Sequence, residues 1–458
     1  MKGGNSWFMA GASVVLALAV AVPAAGADGD KSVNEKILDI LLEDGTIDRE
    51  RYESLRQEAE VERRAAALPP VAAAEPGPQD WKAYWKDGAR IERNDGVYAI
   101  KFGGRIQYDM AAINTDGAIE DELGDLQGTG NDFRRARLFI EGEFGEHGIF
   151  KAEYDFAGTE ANFKDVYAGL QGLPYVGTVR AGHFYEPMSL EMTTSSKYIT
   201  FLERSLPVLA FLPERSSGIG IYNQLFDERM TIHVGGFREV GDDAEDFSNG
   251  SNYNAGARIT SLPVWEEDGR QLVHTGFWYS HQFRDDEPLA YDPDAESNTL
   301  GSLLEMPELQ INGVDLVGAE LAAVMGPVSL QGEFITSFVD RDGGQSARTF
   351  YGSYVTASWF LTGESRAYDR EFGIFGRTKP ATSFSISEGQ WGAFELATRW
   401  SFLTLNDGDV RGGILNDFSV GLNWYLYSNL RLMTDYLLAH RNGLGDAHVF
   451  QSRVSVDF

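Results

Sequence analysis

Cysteine is absent from the 458 residues, which excludes disulfide scaffolds, thiolate metal sites and cysteine nucleophiles and suits a chain that crosses an oxidising compartment. Basic residues are scarce: 39 Lys and Arg stand against 69 Asp and Glu, a formal net charge of -30. That balance argues against nucleic acid as a partner. Long apolar runs are missing too, with one exception, Trp7 to Val22, which follows Lys2 and precedes the small residues Ala25 and Ala27. This is the pattern of a secretory signal, residues 1–27, cleaved after Ala27. The run is short for the ~20 residues of a spanning helix, and none of that length follows it. Proline is sparse at 15, glycine plentiful at 51, and aromatics reach 12%, a composition that suits an all-β chain with many tight turns.

After the signal the hydrophobic period is helical. Val33, Ile37, Ile40 and Leu41 recur at spacings of one turn, Gly45 breaks the pattern, Asp48 can cap a second helix, and Tyr52, Leu55 and Ala59 continue it. Residues 28–68 therefore read as a small helical hairpin joined by Glu43-Asp44-Gly45-Thr46, its second helix laced with Arg and Glu. A Pro/Ala linker, 69–80, follows and should be semi-rigid. So small a hairpin has little core of its own. It could self-associate beneath a trimer, touch the cell wall or pack on a rim, and its residues do not choose among these.

From residue 81 to 458 the period is two. In Arg135–Phe144, Ala136, Leu138, Ile140, Gly142 and Phe144 share one face, and Arg135, Arg137, Glu141 and Glu143 share the other with Phe139. In Phe150–Phe156 the apolar face opposes Lys151, Glu153 and Asp155. Charged faces at membrane depth are costly unless they line water. The signal peptide, the acidic loop-like stretches and the C-terminal VFQSRVSVDF decide between a soluble sandwich and a membrane barrel in favour of the latter. About 430 residues are also too many for one ordinary soluble core, a limit that a barrel with its apolar face in lipid escapes. Strands of ~10 residues fill the roughly 380 residues after the linker as about sixteen strands, wide enough for an aqueous lumen. The stretch Ala181 to Gln224 interrupts this pattern. It is too long for a turn, is broken by Pro187, Pro207 and Pro213, and carries Lys197, Arg204 and Arg215. A loop of that length is usually functional, and here it is expected to fold into a wet lumen.

The segment EPMSLEMTTSSKYITFLERSL within that loop resembles the constriction loop of the phosphate-selective porin O/P family. FGGRIQYD at 102–109, FRRARLFIEGEF at 133–144, LTGESRAYDR at 361–370 and GLNWYLYSNLRL at 421–432 agree with it in order. The resemblance implies a sixteen-stranded, homotrimeric antiparallel barrel of the outer membrane of a Gram-negative bacterium, with the helices in the periplasm. Arg105, Arg134 and Arg135 coincide with lining residues of such porins, and Arg137, Lys197, Arg204 and Arg215 join them as candidates. An anion crossing a narrow channel must exchange water for fixed donors of this kind. Glu186, Met192, Ser195 and Ser196 belong to the expected constriction loop. Family members carry a lysine where Met192 stands, and an arginine-rich outer loop where this chain has RDDEPLAYDPDAESN.

The function expected is passive diffusion of small hydrophilic solutes, with anions including phosphate favoured. The alternatives are a weakly selective or cation-preferring pore, or a structural envelope tether. The outer-loop acids at 116–125, 242–246 and 285–296 would then bind cations that bridge lipopolysaccharide, or merely hydrate the surface. Phe458 ends a strand resembling the signal read by the barrel assembly machinery. No cofactor is implied. An enzyme is the competing class, but the seven His residues form no metal-spaced pair, and Ser216-Ser217-Gly218 lacks the flanking glycine of a nucleophile elbow.

Overall fold

The structure, a computed structural model, describes residues 33–67, 80–124, 126–240, 252–284 and 288–458. The expected signal segment, the expected linker up to residue 79 and the acidic run 242–246 lie outside them. The chain divides into two units, 1–75 and 76–458. In the first, helices Val33–Glu43 and Arg49–Ala67 are joined by a turn in which Gly45 takes a φ of 65°. Asp48 caps the second helix by accepting a hydrogen bond from the Arg51 amide at 2.8 Å. Tyr52 donates to Asp39 across the pair at 2.6 Å.

The second unit is an antiparallel sheet of 18 strands among the described residues. Two short strands, Trp81–Trp85 and Ala89–Arg93, form a hairpin that pairs with the foot of the next strand. The remaining sixteen close on themselves as a barrel. In order they are Tyr98–Thr115, Gly128–Phe144, Gly148–Asp155, Asn162–Leu173, Gly177–Tyr185, Arg215–Leu225, Met230–Arg238 and Tyr253–Glu266. Gln271–Phe283, Ile311–Met325, Val328–Arg341, Arg348–Phe360, Ala393–Asp407, Val410–Tyr427, Leu430–Arg441 and Gly445–Asp457 complete them.

The strands follow the period-two pattern because each has one wall in lipid and one inside. Arg105, Gln107 and Asp109 are buried inside the barrel, while Ile106 and Met110 alternate with them on the exposed outer face. Trp359, Trp391 and Phe144 stand exposed at the end that carries Phe458, and Tyr253, Phe283 and Phe338 near the opposite end. These are the two aromatic belts expected of a membrane barrel. The Phe458 end is termed the turn end, and the opposite one the loop end.

Closure is a close-packed seam. The Gly104 amide donates to the Phe458 carbonyl at 2.8 Å, and the Phe458 amide donates back to Gly104 at 3.0 Å. A Cβ on Gly103 would lie 2.5 Å from both that carbonyl and the Phe139 ring, and one on Gly104 would lie 2.8 Å from the Phe458 ring. Glycine is therefore the residue that lets the first and last strands meet.

The lumen is not uniformly wet. Of the stretch Ala181 to Gln224 expected to fold inward, residues 186–214 do so, from the loop end, whereas 181–185 and 215–224 pair as the ends of the strands Gly177–Tyr185 and Arg215–Leu225. A second loop, 288–310, also turns inward and buries Tyr291, Ala295, Leu300, Leu303, Leu304 and Met306. From the turn end, segment 361–392 enters as well and places Phe375 against Leu190, Leu272 and Val324. Leu206, Val208 and Phe211 of the first loop meet inward-facing Ile335, Val339, Phe350, Leu403, Leu415 and Leu437 in one apolar cluster. One side of the barrel thus has a packed core, and the polar residues of strands 128–238 are left to line water. Glu296 departs from its expected place among hydrated outer-loop acids. It is 1% exposed and accepts from Arg399 at 2.7 Å and from the Leu206 amide at 3.1 Å, because the loop that carries it is drawn inside.

Replacing Gly103 by Val should obstruct the seam and remove most of the folded, heat-modifiable band in unheated SDS gels, with Gly130→Val as the control at an open strand position. An undiminished folded band in the Gly103 variant would show that closure does not depend on this approach.

Candidate functional site

Loop 186–214 begins where strand Gly177–Tyr185 ends and is built around two short helices. Ser189 caps the first, Leu190–Thr193, by accepting from the Met192 amide at 3.0 Å. The wall residue Glu333 accepts from Ser189 Oγ and from the amides of Leu190 and Glu191 at 3.0, 3.2 and 2.8 Å. Free helix-terminal amides favour a carboxylate in this way. Arg204 lies inside the loop and donates to the carbonyls of Glu191, Met192 and Thr194 at 3.2, 3.0 and 3.2 Å. It staples the loop together and is turned away from water. Met192 packs into the apolar cluster at 2% exposure.

Against this loop stands a wall of cations. A bulge between Gln107 and Tyr108 on one strand and Arg135 and Phe133 on its neighbour inserts Arg134 as an extra residue. Arg134 grips Glu203 of the loop through two bonds, 2.9 and 3.1 Å. Arg135 approaches the same carboxylate at 3.8 Å and donates to Gln107 at 3.0 Å. Arg453 reaches Glu203 at 2.8 Å and Asp109 at 2.6 Å. Burial alone would raise the Glu203 pKa, but Arg134, Arg135 and Arg453 hold it well below the usual carboxylate range.

The remaining cations form a ladder with three wall carboxylates. Arg105 donates to Glu153 at 2.5 Å and to Ser196 Oγ at 2.6 Å. Arg137 pairs with Asp155 at 2.6 Å, Lys151 with Glu153 and Asp165 at 2.9 Å each, and Arg215 with Asp165 at 2.8 Å. Glu214, beside Arg204 and Arg215, is lowered to about 2 by these cations against the opposing effect of burial. Lys197 and Arg180, both beside the ladder, stand outside the lattice. Lys197 lies over Tyr198 and Phe139, 5.4 and 5.9 Å from the ring centres, with no carboxylate in ion-pair range among the described residues. Burial, then the charge of Arg105, pushes its ammonium down to about 8. Arg180 is likewise free of any ion pair among the described residues and faces the rings of Tyr167, Tyr222 and Phe372.

Two spaces flank this ladder. One of about 480 Å³ is lined by Arg134, Arg137, Asp155, Lys164, Glu214 and Arg215. The other, about 230 Å³, is lined by Lys151, Asp165, Tyr167, Arg180, Glu186 and Phe372, among others. The Arg215–Asp165 pair contributes one residue to each lining, so the ladder separates them.

The structure brings Arg105, Arg134, Arg135 and Arg137 to the inner wall opposite the loop, with Arg215 at the loop's far root. It sets Ser196 on Arg105, and Ser195 one residue away in the turn closed by Tyr198 N to Ser195 O at 2.8 Å. Glu186 is buried where the loop begins and accepts from Ser216 and Asn254 at 2.7 Å each. Arg204 and Met192, in contrast, serve the loop's own packing. Sequence reasoning did not single out Lys151, Asp165, Arg180, Glu203 or Arg453. Lys151 already sat in the polar phase of its strand, and Arg180 shares that phase in GTVRAGHFY, but nothing local marks Glu203 or Arg453 as partners 250 residues apart.

The sequence profile described as phosphate-selective porin O and P matches residues 100–458. Porin O of Pseudomonas aeruginosa is 23% identical over 420 residues, covering 81% of this chain and 91% of that protein. An uncharacterised protein of Caulobacter vibrioides is 26% identical over 419 residues, covering 86% and 80%. Among solved structures, OmpF of Salmonella typhi in complex with daunomycin superposes with a TM-score of 0.50 at 14% identity over 82% of this chain and 100% of that one. A loop-deletion form of OmpT of Vibrio cholerae gives 0.50 at 9% over 79% and 100%. At these identities the structural likeness speaks for the barrel, and the profile speaks for the family. The chain belongs to the phosphate-selective porin O and P family, and is a porin of the outer membrane.

Proposed function

We propose that this porin passes small hydrophilic solutes by passive diffusion with a weak preference for anions, phosphate included, and without a tight phosphate site. The observation that carries this reading is the pairing of the wall cations. Three guanidiniums share Glu203 and Asp109, and the ladder cations each meet a carboxylate. A binding site selective for phosphate needs donors that the protein has not already spent. The small positive excess at Glu203, with Lys197 and Arg180, leaves a mild attraction.

Both termini of the barrel lie at its turn end, so the helices that precede it are expected in the periplasm. Phe458 at the seam suits recognition by the barrel assembly machinery, and the apolar outer wall suits lipid, lipopolysaccharide at the loop end and neighbouring copies in a homotrimer. Cross-linking of intact outer membranes should give a band at about three times the barrel's mass, the mass expected of a trimeric porin; a ladder that stops at the monomer would dismiss it.

In planar bilayers under a potassium chloride gradient, chloride should permeate about two to three times better than potassium, as expected of a few unpaired and salt-screened cations. Glu203→Gln should raise that ratio by freeing Arg134 and Arg135, while Arg453 keeps Asp109, and Arg134→Ala with Arg135→Ala should lower it. No movement in either variant would place the cluster away from the ion path. Sharp block of the wild type by low phosphate would instead favour a dedicated phosphate channel.

Lys197 gives the pH dependence. Its ammonium is charged below a pKa of about 8 and neutral above it, so anion preference should fall as pH rises from 7 to 9. Lys197→Met should flatten that step, and a step that survives in the variant would assign it to another group.

A further inference from the structure

The space below the ladder has features that a general pore does not require. Arg180 projects into it without a carboxylate partner among the described residues. The rings of Tyr222, Tyr167 and Phe372 lie 4.7, 4.9 and 5.0 Å from its guanidinium carbon. Rings can cover the two faces of a guanidinium, and the Tyr222 hydroxyl is also within hydrogen-bond reach of this one. The other cations and acids of this lining are engaged: Lys151 with Asp165 and Glu153, and Glu141 with Lys101 at 3.0 Å.

Three polar atoms on this lining lack a protein partner, namely Arg180 Nε, Glu186 Oε2 and His233 Nε2. Glu186 and His233 are 1% and 4% exposed, and all three atoms are closed off from water by their neighbours. Phe184, Pro187, Tyr222 and Ile374 complete an apolar side. The volume, about 230 Å³, equals roughly seven or eight waters at ~30 Å³ each, room for a single-ring molecule. The walls are furnished by the roots of loop 186–214 and by Phe372 and Ile374 of segment 361–392, so the space exists only because segments enter from both ends.

We infer that this space is a binding subsite for a small planar aromatic acid, of the benzoate and hydroxybenzoate class. The carboxylate pairs with the guanidinium of Arg180, and the ring lies against Tyr167, Tyr222 and Phe372. Burial pushes the Glu186 carboxyl up to about 7, which lessens its repulsion of an anion at neutral pH. Inorganic phosphate would satisfy Arg180 but leave the aromatic side without a partner, so it should bind more weakly. The inference rests on the porin reading in that the acid is a solute of the same channel, at a station distinct from the Glu203 cluster.

The test is calorimetric titration of the detergent-solubilised, full-length protein with 4-hydroxybenzoate, cyclohexanecarboxylate and inorganic phosphate, alongside bilayer recordings with the same compounds. The expected result is saturable binding and current block by 4-hydroxybenzoate, at least tenfold weaker for the other two. Arg180→Gln and Tyr222→Leu should each weaken 4-hydroxybenzoate at least tenfold. Arg180→Lys, which keeps the charge and loses the planar fork, should fall between. Heat-modifiable gel mobility confirms folding of each variant, and the comparison of ligands on the wild type stands without any variant. Equal binding of cyclohexanecarboxylate, or unaltered binding in a folded Arg180→Gln, overturns the inference. Conductance without 4-hydroxybenzoate binding would reject the subsite and keep the pore, whereas binding without conductance would reject the pore and keep the subsite.

Discussion

The contact on which the channel's shape depends is the meeting of Glu203 with Arg134, Arg135 and Arg453. A loop of this length inside a barrel must be held against its own conformational entropy. Glu203 supplies the hold by joining the loop to the strands on both sides of the Tyr98–Thr115 strand, next to the seam. Each of these ions would be costly to bury alone, and removing one partner of a buried pair typically costs about 3–5 kcal/mol. The lattice is therefore stable as a set. The same pairing that fixes the loop also neutralises most of the charge that a strongly anion-selective constriction would have displayed.

A second constraint is the division of the lumen. Loop helix Leu206–Phe211 and loop 288–310 bury their apolar side chains against inward-facing residues of the strands between Ile311 and Asp457. Water is expelled from that side. The solute path is displaced toward strands Gly128–Phe144 through Met230–Arg238, whose inward residues carry the charges and aromatics. Arg258, which donates to the carbonyls of Phe372 and Gly373 at 3.3 and 2.9 Å and pairs with Glu320 at 2.8 Å, fixes the segment that enters from the turn end. The path is thus bounded by a rigid wall and by two loops pinned through buried guanidiniums, an arrangement suited to a fixed aperture.

Much of this was legible before any coordinates. The alternation in Arg135–Phe144 and Phe150–Phe156 already separated the lipid wall from the inner wall, and the length and prolines of Ala181 to Gln224 marked the inward loop, with bounds too wide by the strand ends on either side. Whereas Arg105 was marked by the family resemblance, the charged inward positions Arg135 and Arg137 follow from phase. Arg134 does not, because its inward turn depends on a bulge that shifts the phase by one residue. Other inward segments escaped notice for a different reason. Loop 288–310 reads as an acidic, hydrated outer loop, and its apolar residues have no period to betray that they are buried. The strands that it packs on hold apolar residues in both phases, as in GVDLVGAELAAVM, and that was the available clue.

Local chemistry, with periods of two and 3.6, is written in neighbouring residues. It fixed the helical hairpin, the membrane barrel of about sixteen strands and the polar phase of each strand, since each follows from residues a few positions apart. Tertiary structure alone decided which cations remain free. Arg204 and Arg180 are both arginines beside aromatic residues, yet one is spent on the loop's own carbonyls and the other faces an aromatic-lined space. Whether a charge is paired depends on residues up to 344 positions away, as in Asp109 and Arg453, and only closure of the barrel brings them within reach.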